Sequence, residues 1–413
     1  MEQLSIPAAG IATRFSNAIQ AVLAVGCLGL LNACVQTAVH VPPVDELTGF
    51  TPTNEPLTPL QVEADRWLRQ HYESINVPAL SAAVALRGDI VWARAIGWSD
   101  LDMNRPASPR TAFRIGSTSK AVTVSLTGRL IDQGVVDLDE PISKYMADLP
   151  VKWRKLTLRQ LHSHTAGIPG YDNNRDWLGM LDSLVLRKRY DDVADALSQF
   201  NNSRLLYEPG TSFYYSSFDV VLASAVLQAA GGDSFMDLLR AEVLEPLRMD
   251  DTAADHEVLE AIEVAIHYRR KGSKFRPWRK VDLSSKLASG GLVSTPTDLA
   301  RLGAAYLDTG YLRTETVEEL WTPQRLSNGD INEQYYAIGW RSDRFSLDER
   351  GPDVRQVHHG GVSKGSNAWL IIYPEYELVV AMTSNARAEE FSDFAGPAHD
   401  LFRLFRQAKR LDD

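Results

Sequence analysis

Phe113-Arg114-Ile115-Gly116-Ser117-Thr118-Ser119-Lys120 is the stretch from which the rest of the chain is read. After Gly116, the segment from Thr118 to Gln133 predicts a helix, with Val122, Leu126, Leu130 and Ile131 at apolar positions and Gly134 as a stop signal. Residues three apart share a helix face, so this spacing brings the Lys120 amine to the Ser117 hydroxyl within the first turn. A serine hydroxyl is a poor nucleophile at neutral pH and needs a nearby base and a site for the developing oxyanion. Burial favours the neutral amine of a lysine, and amides at a helix start favour negative charge beside them. A serine three residues before a lysine also arises by chance, so its weight depends on what surrounds it.

Outward from this stretch, Thr58-Pro59-Leu60-Gln61 supplies an N-cap, a first-turn proline and a glutamine able to close a capping box, and predicts a helix. Leu80 to Leu86 and Ile90 to Ile96 are β-prone runs joined by Arg87-Gly88-Asp89, a hairpin pattern. Near the other end, Ala368 to Tyr373 and Leu378 to Met382 flank Pro374-Glu375-Tyr376-Glu377 and predict a second hairpin. Phe394 to Ala408 has helical spacing, and residues 117 to about 310 read mainly as helices and loops. The pattern predicts an α/β (α+β) chain: one antiparallel sheet completed by both termini, flanked by helices, with a helical subdomain inserted. The cleft between those parts is the expected ligand site.

The nucleophile stretch resembles that of the class C β-lactamases, the D-amino-acid peptidases and related esterases. Further matches follow in the same order: Leu158 to Pro169, containing His162-Ser163-His164-Thr165-Ala166-Gly167; Pro209-Gly210-Thr211-Ser212-Phe213-Tyr214-Tyr215-Ser216-Ser217; Ser289 to Thr295 with Asp298 to Arg301; and Val357-His358-His359-Gly360-Gly361. The resemblance covers roughly residues 78 to 385 and implies the penicillin-recognising, β-lactamase-like fold. It implies Ser117 as nucleophile, Lys120 as base and Tyr215 as the phenol that relays the proton, with no cofactor and no metal. Tyr171-Asp172-Asn173 fits the second motif, Tyr-x-Asn, more strictly, but it lacks the Pro-Gly-Thr lead.

Two departures qualify the resemblance. The family asparagine is Ser217, whose hydroxyl cannot donate and accept as an amide does. In the third motif His358-His359-Gly360 replaces Lys-Thr-Gly, as in peptidase, esterase and mitochondrial serine β-lactamase-like branches. Ser217, His358 and Gly360 are the expected substrate-binding positions. Imidazole is mostly neutral at pH 7, so a substrate carboxylate loses a permanent cation there. Peptide-like amides therefore rank first, esters second and β-lactams third, and a catalytically weak sensor or assembling scaffold of the same fold is the alternative. His162 and His164 are read as structural. The oxyanion donors are expected to be the Ser117 N–H and that of Val362, Ser363 or Lys364.

Composition bounds the remaining classes. The chain has 413 residues, 44% of them hydrophobic and 23% charged, with a formal net charge of -10, which argues against nucleic-acid partners. The one basic cluster, Arg269 to Arg279, reads as a solvated face. Both cysteines, Cys27 and Cys34, lie in an N-terminal apolar stretch. Residues 1–34 are expected to be a signal whose Leu31-Asn32-Ala33-Cys34 resembles a lipobox, giving an exported, membrane-anchored lipoprotein lipidated on Cys34. Residues 35–57 read as an extended tether and residues 58–413 as the enzyme domain. A zinc site fails because Ala166 and Gly167 stand where His162-Ser163-His164 would need Asp and His. Gly361-Val362-Ser363-Lys364-Gly365 mimics a nucleophile elbow but precedes a β-prone run instead of a helix.

Overall fold

The computed structural model describes residues 38–44, 46–49, 58–257, 262–346 and 353–409. The described residues from Val39 onward form one compact unit. The expected signal, with Cys27 and Cys34, therefore lies outside the described residues.

Seven strands form the path of the main sheet: β1 (Thr48–Gly49), β2 (Ala79–Leu86), β3 (Asp89–Asp100), β4 (Arg341–Ser346), β5 (Asp353–Ser363), β6 (Ser366–Tyr373) and β7 (Leu378–Ser384). Their order is β1-β3-β2-β7-β6-β5-β4, all antiparallel, and an eighth short strand, Arg105–Pro106, pairs with β3. The junction of the two halves is the β2–β7 pair, running from Leu80↔Ser384 to Leu86↔Leu378. Both predicted hairpins are present. Arg87 and Gly88, at positive φ of 53° and 90°, turn the first, and a 3₁₀ turn over Pro374–Tyr376 closes the second.

Alternate residues of each strand enter different cores. Leu370, Ile372, Val379 and Ala381 pack with α2 (Ser119–Asp132), α3 (Ser217–Gly231) and α4 (Pro296–Ala305). Ile371, Tyr373, Val380 and Met382 pack with α1 (Pro59–Ile75) and α5 (Ala398–Lys409). Burial on both faces explains why these strands read as continuous apolar runs. Helix α1 starts with the expected capping box between Thr58 and Gln61. The closing helix is preceded by a separate short helix, Phe391–Ala395, because the intervening Pro397 lacks the N–H needed to continue the ladder.

The insertion is helical as expected, with two small additions: a three-stranded sheet of Phe113–Arg114, Leu292–Ser294 and Ala253–Ala254, and a hairpin of Tyr268–Lys271 with Lys274–Pro277. That hairpin carries most of the basic cluster. Its Arg270 reaches the carbonyls of Ile75 and Asn76 at 2.7 and 2.6 Å, at the end of α1. The segment read as a tether is extended but docked where it is described. Val39 bridges Phe275, Thr48–Gly49 joins the sheet beside β3, and Val41, Val44 and Leu47 pack on the outer core.

Asn385, fully buried after β7, ties three segments together. Its Oδ1 accepts from Ala79 N at 2.8 Å, and its Nδ2 donates to Trp98 O and Ile266 O, each at 3.0 Å. Replacing it with Leu strands these groups without partners, so Asn385→Leu is expected to lower stability by about 3 kcal/mol in urea titrations. His162 is also buried, its Nε2 3.0 Å from Thr127 Oγ1, and burial pushes its pKa from 6.5 down to about 4. The unfolded chain takes up this proton more readily, so its contribution is present above pH 6.5 and lost as pH falls toward 4. The stability advantage over a His162→Asn variant should shrink by roughly 3 kcal/mol across that window in pH-dependent unfolding.

Candidate active site

Ser117 sits in a 3₁₀ turn, Gly116–Thr118, that leads directly into α2. Gly116 takes φ 51°, and a Cβ there would fall 2.7 to 2.9 Å from the backbone of Val362 on β5. A side chain at Gly361 would collide with the Ile115 carbonyl. Glycines at 116 and 361 therefore permit the close approach of the Ser117 turn and the β5 backbone.

Lys120 is only 1% exposed. Its Nζ donates to Ser117 Oγ at 3.3 Å, to Ser217 Oγ at 3.3 Å and to Ser289 O at 2.8 Å. Three oxygens from separate parts of the chain thus surround Nζ. Ser217 opens α3, capped by Ser216, whose Oγ accepts from Phe218 N. The position of the family asparagine thus still faces the lysine, through a hydroxyl. The Tyr215 ring lies 4.8 Å from Lys120 Nζ. Of the two tyrosine candidates, Tyr215 is the one placed over the lysine, while Tyr171 and Asp172 line a cavity beside Ser117.

Behind Tyr215 stands a buried pair, His164 and Asp219, of which the sequence singled out only the histidine. His164, at φ 60°, packs tilted against the Tyr215 ring with centroids 4.4 Å apart, and its Nδ1 lies 2.8 Å from Asp219 Oδ2. Burial pushes the imidazole's pKa well down and the carboxyl's well up. Tyr214 N and Tyr207 Oη donate to the His164 carbonyl, at 3.0 and 3.2 Å. His164 therefore holds the Tyr215 segment from two sides, a structural role in keeping with its reading.

The cleft opens around Ser117 as two cavities. The larger, about 650 Å³, is lined by Tyr215, Arg341, Asp343, His358, Gly360, Val362, Trp369 and Phe391. His358 Nε2 lies 3.3 Å from Asp343 Oδ2, and its ring packs 4.8 Å from Trp369. The Asp343 carboxyl lies below its ordinary pKa. Burial pushes it up, but the hydrogen bond and charge of His358, the Gln356 amide and Arg341 together outweigh burial. At Gly360 a Cβ would fall 2.7 Å from the Phe391 ring, so only glycine leaves this wall open. His359 points the other way. It is fully buried, with Nε2 2.9 Å from Tyr336 Oη, and burial pushes its pKa well down.

The sequence reading missed Arg341, whose guanidinium lies 5.6 Å over Tyr215 and 5.1 Å over Tyr336. A permanent cation therefore does stand on the cleft wall, supplied by β4 and not by the third motif. No local pattern marks it; only pairing Arg341↔His358 brings it there. Ser363, the serine of the decoy elbow, lies in the β5–β6 turn opposite Ser366, with Gly365 at φ 83° and no helix following. Among the described residues no cluster of three or more metal-ligating side chains occurs.

The Beta-lactamase family matches residues 64–404. The human mitochondrial serine beta-lactamase-like protein LACTB is 24% identical over 392 residues, covering 73% of this chain and 70% of that protein. Protein flp of Staphylococcus aureus is 22% identical over 340 residues, covering 80% of this chain and 64% of its own length. Two solved structures share the fold. The D-amino acid amidase of Ochrobactrum anthropi SV3, complexed with L-phenylalanine amide, superposes with a TM-score of 0.69 at 22% identity, covering 86% of this chain and 100% of its own. The octameric penicillin-binding protein homologue of Pyrococcus abyssi gives 0.67 at 22% identity, covering 83% and 77%. With most of its length matched and the Ser117, Lys120 and Tyr215 segments in one cleft, the chain belongs to the β-lactamase family.

Proposed function

We propose that the protein is a serine hydrolase that forms an acyl-enzyme on Ser117. The observation that carries this reading is the buried Lys120 amine in hydrogen-bond reach of the Ser117 hydroxyl, at 3.3 Å. In the first step Lys120, with Tyr215, accepts the Ser117 proton as Oγ bonds to the substrate carbonyl carbon. The bond to the leaving nitrogen or oxygen breaks, and the proton passes through Tyr215 to that atom. Water then adds to the acyl carbon, Ser117 recovers its proton, and a carboxylic acid leaves.

The N–H groups of Ser117 and Val362 are proposed as the oxyanion donors. The close approach of the Val362 backbone to Gly116 supports Val362, as does its place beside Ser117 in both cavities; Ser363 and Lys364 line only the smaller. Ser217, His358 and Gly360 are proposed to contact the substrate, the first beside Lys120 and the others on the wall of the larger cavity. Peptide-like amides are the leading substrate class, esters the second and β-lactams the third. Similarity in fold to a D-amino acid amidase and to a D-stereospecific amidohydrolase from Streptomyces supports that order.

Intact-mass analysis after exposure to a fluorophosphonate should show one adduct on the folded full-length protein and none on Ser117→Ala. Lys120→Met is expected to slow labelling by about 10³-fold and Tyr215→Phe by about 10²-fold. If the folded parent stays unmodified, or Ser117→Ala labels equally, the sensor or scaffold reading takes its place.

We also propose that the chain is exported and anchored through a lipid on Cys34. The apolar leader and the cysteine that ends it support this. In cells fed radiolabelled palmitate, the protein should carry label and sediment with membranes, whereas Cys34→Ala should lose the label. An unlabelled parent would overturn the assignment.

A further inference from the structure

The two cavities that meet at Ser117 differ in charge. The larger contains both signs, Arg341 and Asp343. The smaller, about 300 Å³, is bounded by Ser217, and its charged side chains are Lys286, Lys364 and Arg387 against the single carboxylate of Asp172. Lys286 Nζ stands 4.3 Å over the Tyr171 ring, and Arg387 Nε is held by Ser363 O at 2.8 Å. Neither Lys286 nor Lys364 has an ion-pair partner among the described residues. The Lys364 ammonium is held below its ordinary pKa, first by burial and then by the charges of Lys286, Arg387 and the neighbouring Arg279. Gathering the half-buried Lys286 and Lys364 with the exposed Arg387, three cations against one carboxylate, raises the local positive potential, which a bound anion relieves.

The sides of the cleft can be assigned. Tyr215, the proposed proton donor to the leaving group, lines the larger cavity and not the smaller. The leaving group therefore departs through the larger cavity, and the acyl portion occupies the smaller. We propose that the smaller cavity is a subsite for a carboxylate carried on the acyl portion, so that the enzyme acts on amides or esters of short dicarboxylic or acidic acyl groups. Its volume suits a short side chain and not a second large ligand. Lys286 and Lys364 supply the attraction, and Arg387 closes the far side. This inference rests on the Ser117 hydrolase reading.

Three p-nitrophenyl esters test it, with acyl groups of matched length ending in a carboxylate (glutaryl), its methyl ester and an ammonium (4-aminobutyryl). Ser117-dependent release of p-nitrophenol from the full-length protein is taken as the rate above that of Ser117→Ala. The carboxylate ester is expected to react about tenfold faster than the methyl ester, with the ammonium ester slowest. The ratio should shrink in ~1 M salt, where the screening length is about 3 Å. In the Lys286→Gln, Lys364→Gln double variant it should approach one, and Lys364→Glu should favour the ammonium ester. Equal rates in the parent overturn the inference, as does a carboxylate preference that survives both salt and the double variant. The parent's ranking and salt response need no variant to fold. Fluorophosphonate labelling of Ser117 without a charge preference sinks this inference alone. A folded parent with neither labelling nor turnover sinks the hydrolase reading and this inference with it.

Discussion

A buried lysine amine must find partners or give up its charge, and Lys120 finds three. Its Nζ is met by a hydroxyl one helical turn back, a hydroxyl at the start of α3 and the Ser289 carbonyl. These partners come from three segments of the chain. Much of the helical subdomain serves that placement. Thr123 bonds the Ala288 carbonyl at 2.7 Å, and Leu292 N bonds Ser119 Oγ at 3.3 Å, so α2 is pinned to the segment that supplies the carbonyl.

The sheet does for the backbone what the helices do for Lys120. Strands β2, β3, β5, β6 and β7 bury side chains on both faces, which fixes register because a shift of one residue would exchange the two cores. Strand β5 can then be brought against the Ser117 turn at Gly116 and Gly361, where any side chain would push the two apart. Rigidity here is what an oxyanion site requires, since donors must stand where the charge develops before the reaction starts.

Electrostatics divides the site into a dry interior and a charged surface. His162, His164, His267 and His359 are all buried and all pushed toward the neutral form, burial being the first cause in each. Positive charge around the cleft therefore rests with arginines and lysines at its rim, among them Arg341, Lys364 and Arg387. Of the two adjacent histidines, His358 stands on the cleft wall beside Asp343, and His359 is buried against Tyr336.

Features governed by neighbours within one or two turns were legible in the sequence. The Thr58–Gln61 capping box, the Arg87-Gly88 turn and the Ser117–Lys120 spacing are each set by backbone geometry over three or four residues. Alternation within the strands was not legible as polarity, because both faces are buried, yet β-prone runs and turn residues still located the hairpins. Tertiary structure alone decided which distant groups meet. Ser217 and the Ser289 carbonyl lie 97 and 169 positions from Lys120, Arg341 enters the cleft through its pairing with His358, and Asp219 finds His164 beneath Tyr215. Such groups carry no local signal: an arginine on a strand or an aspartate on a helix looks the same in sequence whether it faces water or a nucleophile. Long-range packing chooses between those outcomes, because only there is the cost of burying a polar group offset by the partner that receives it.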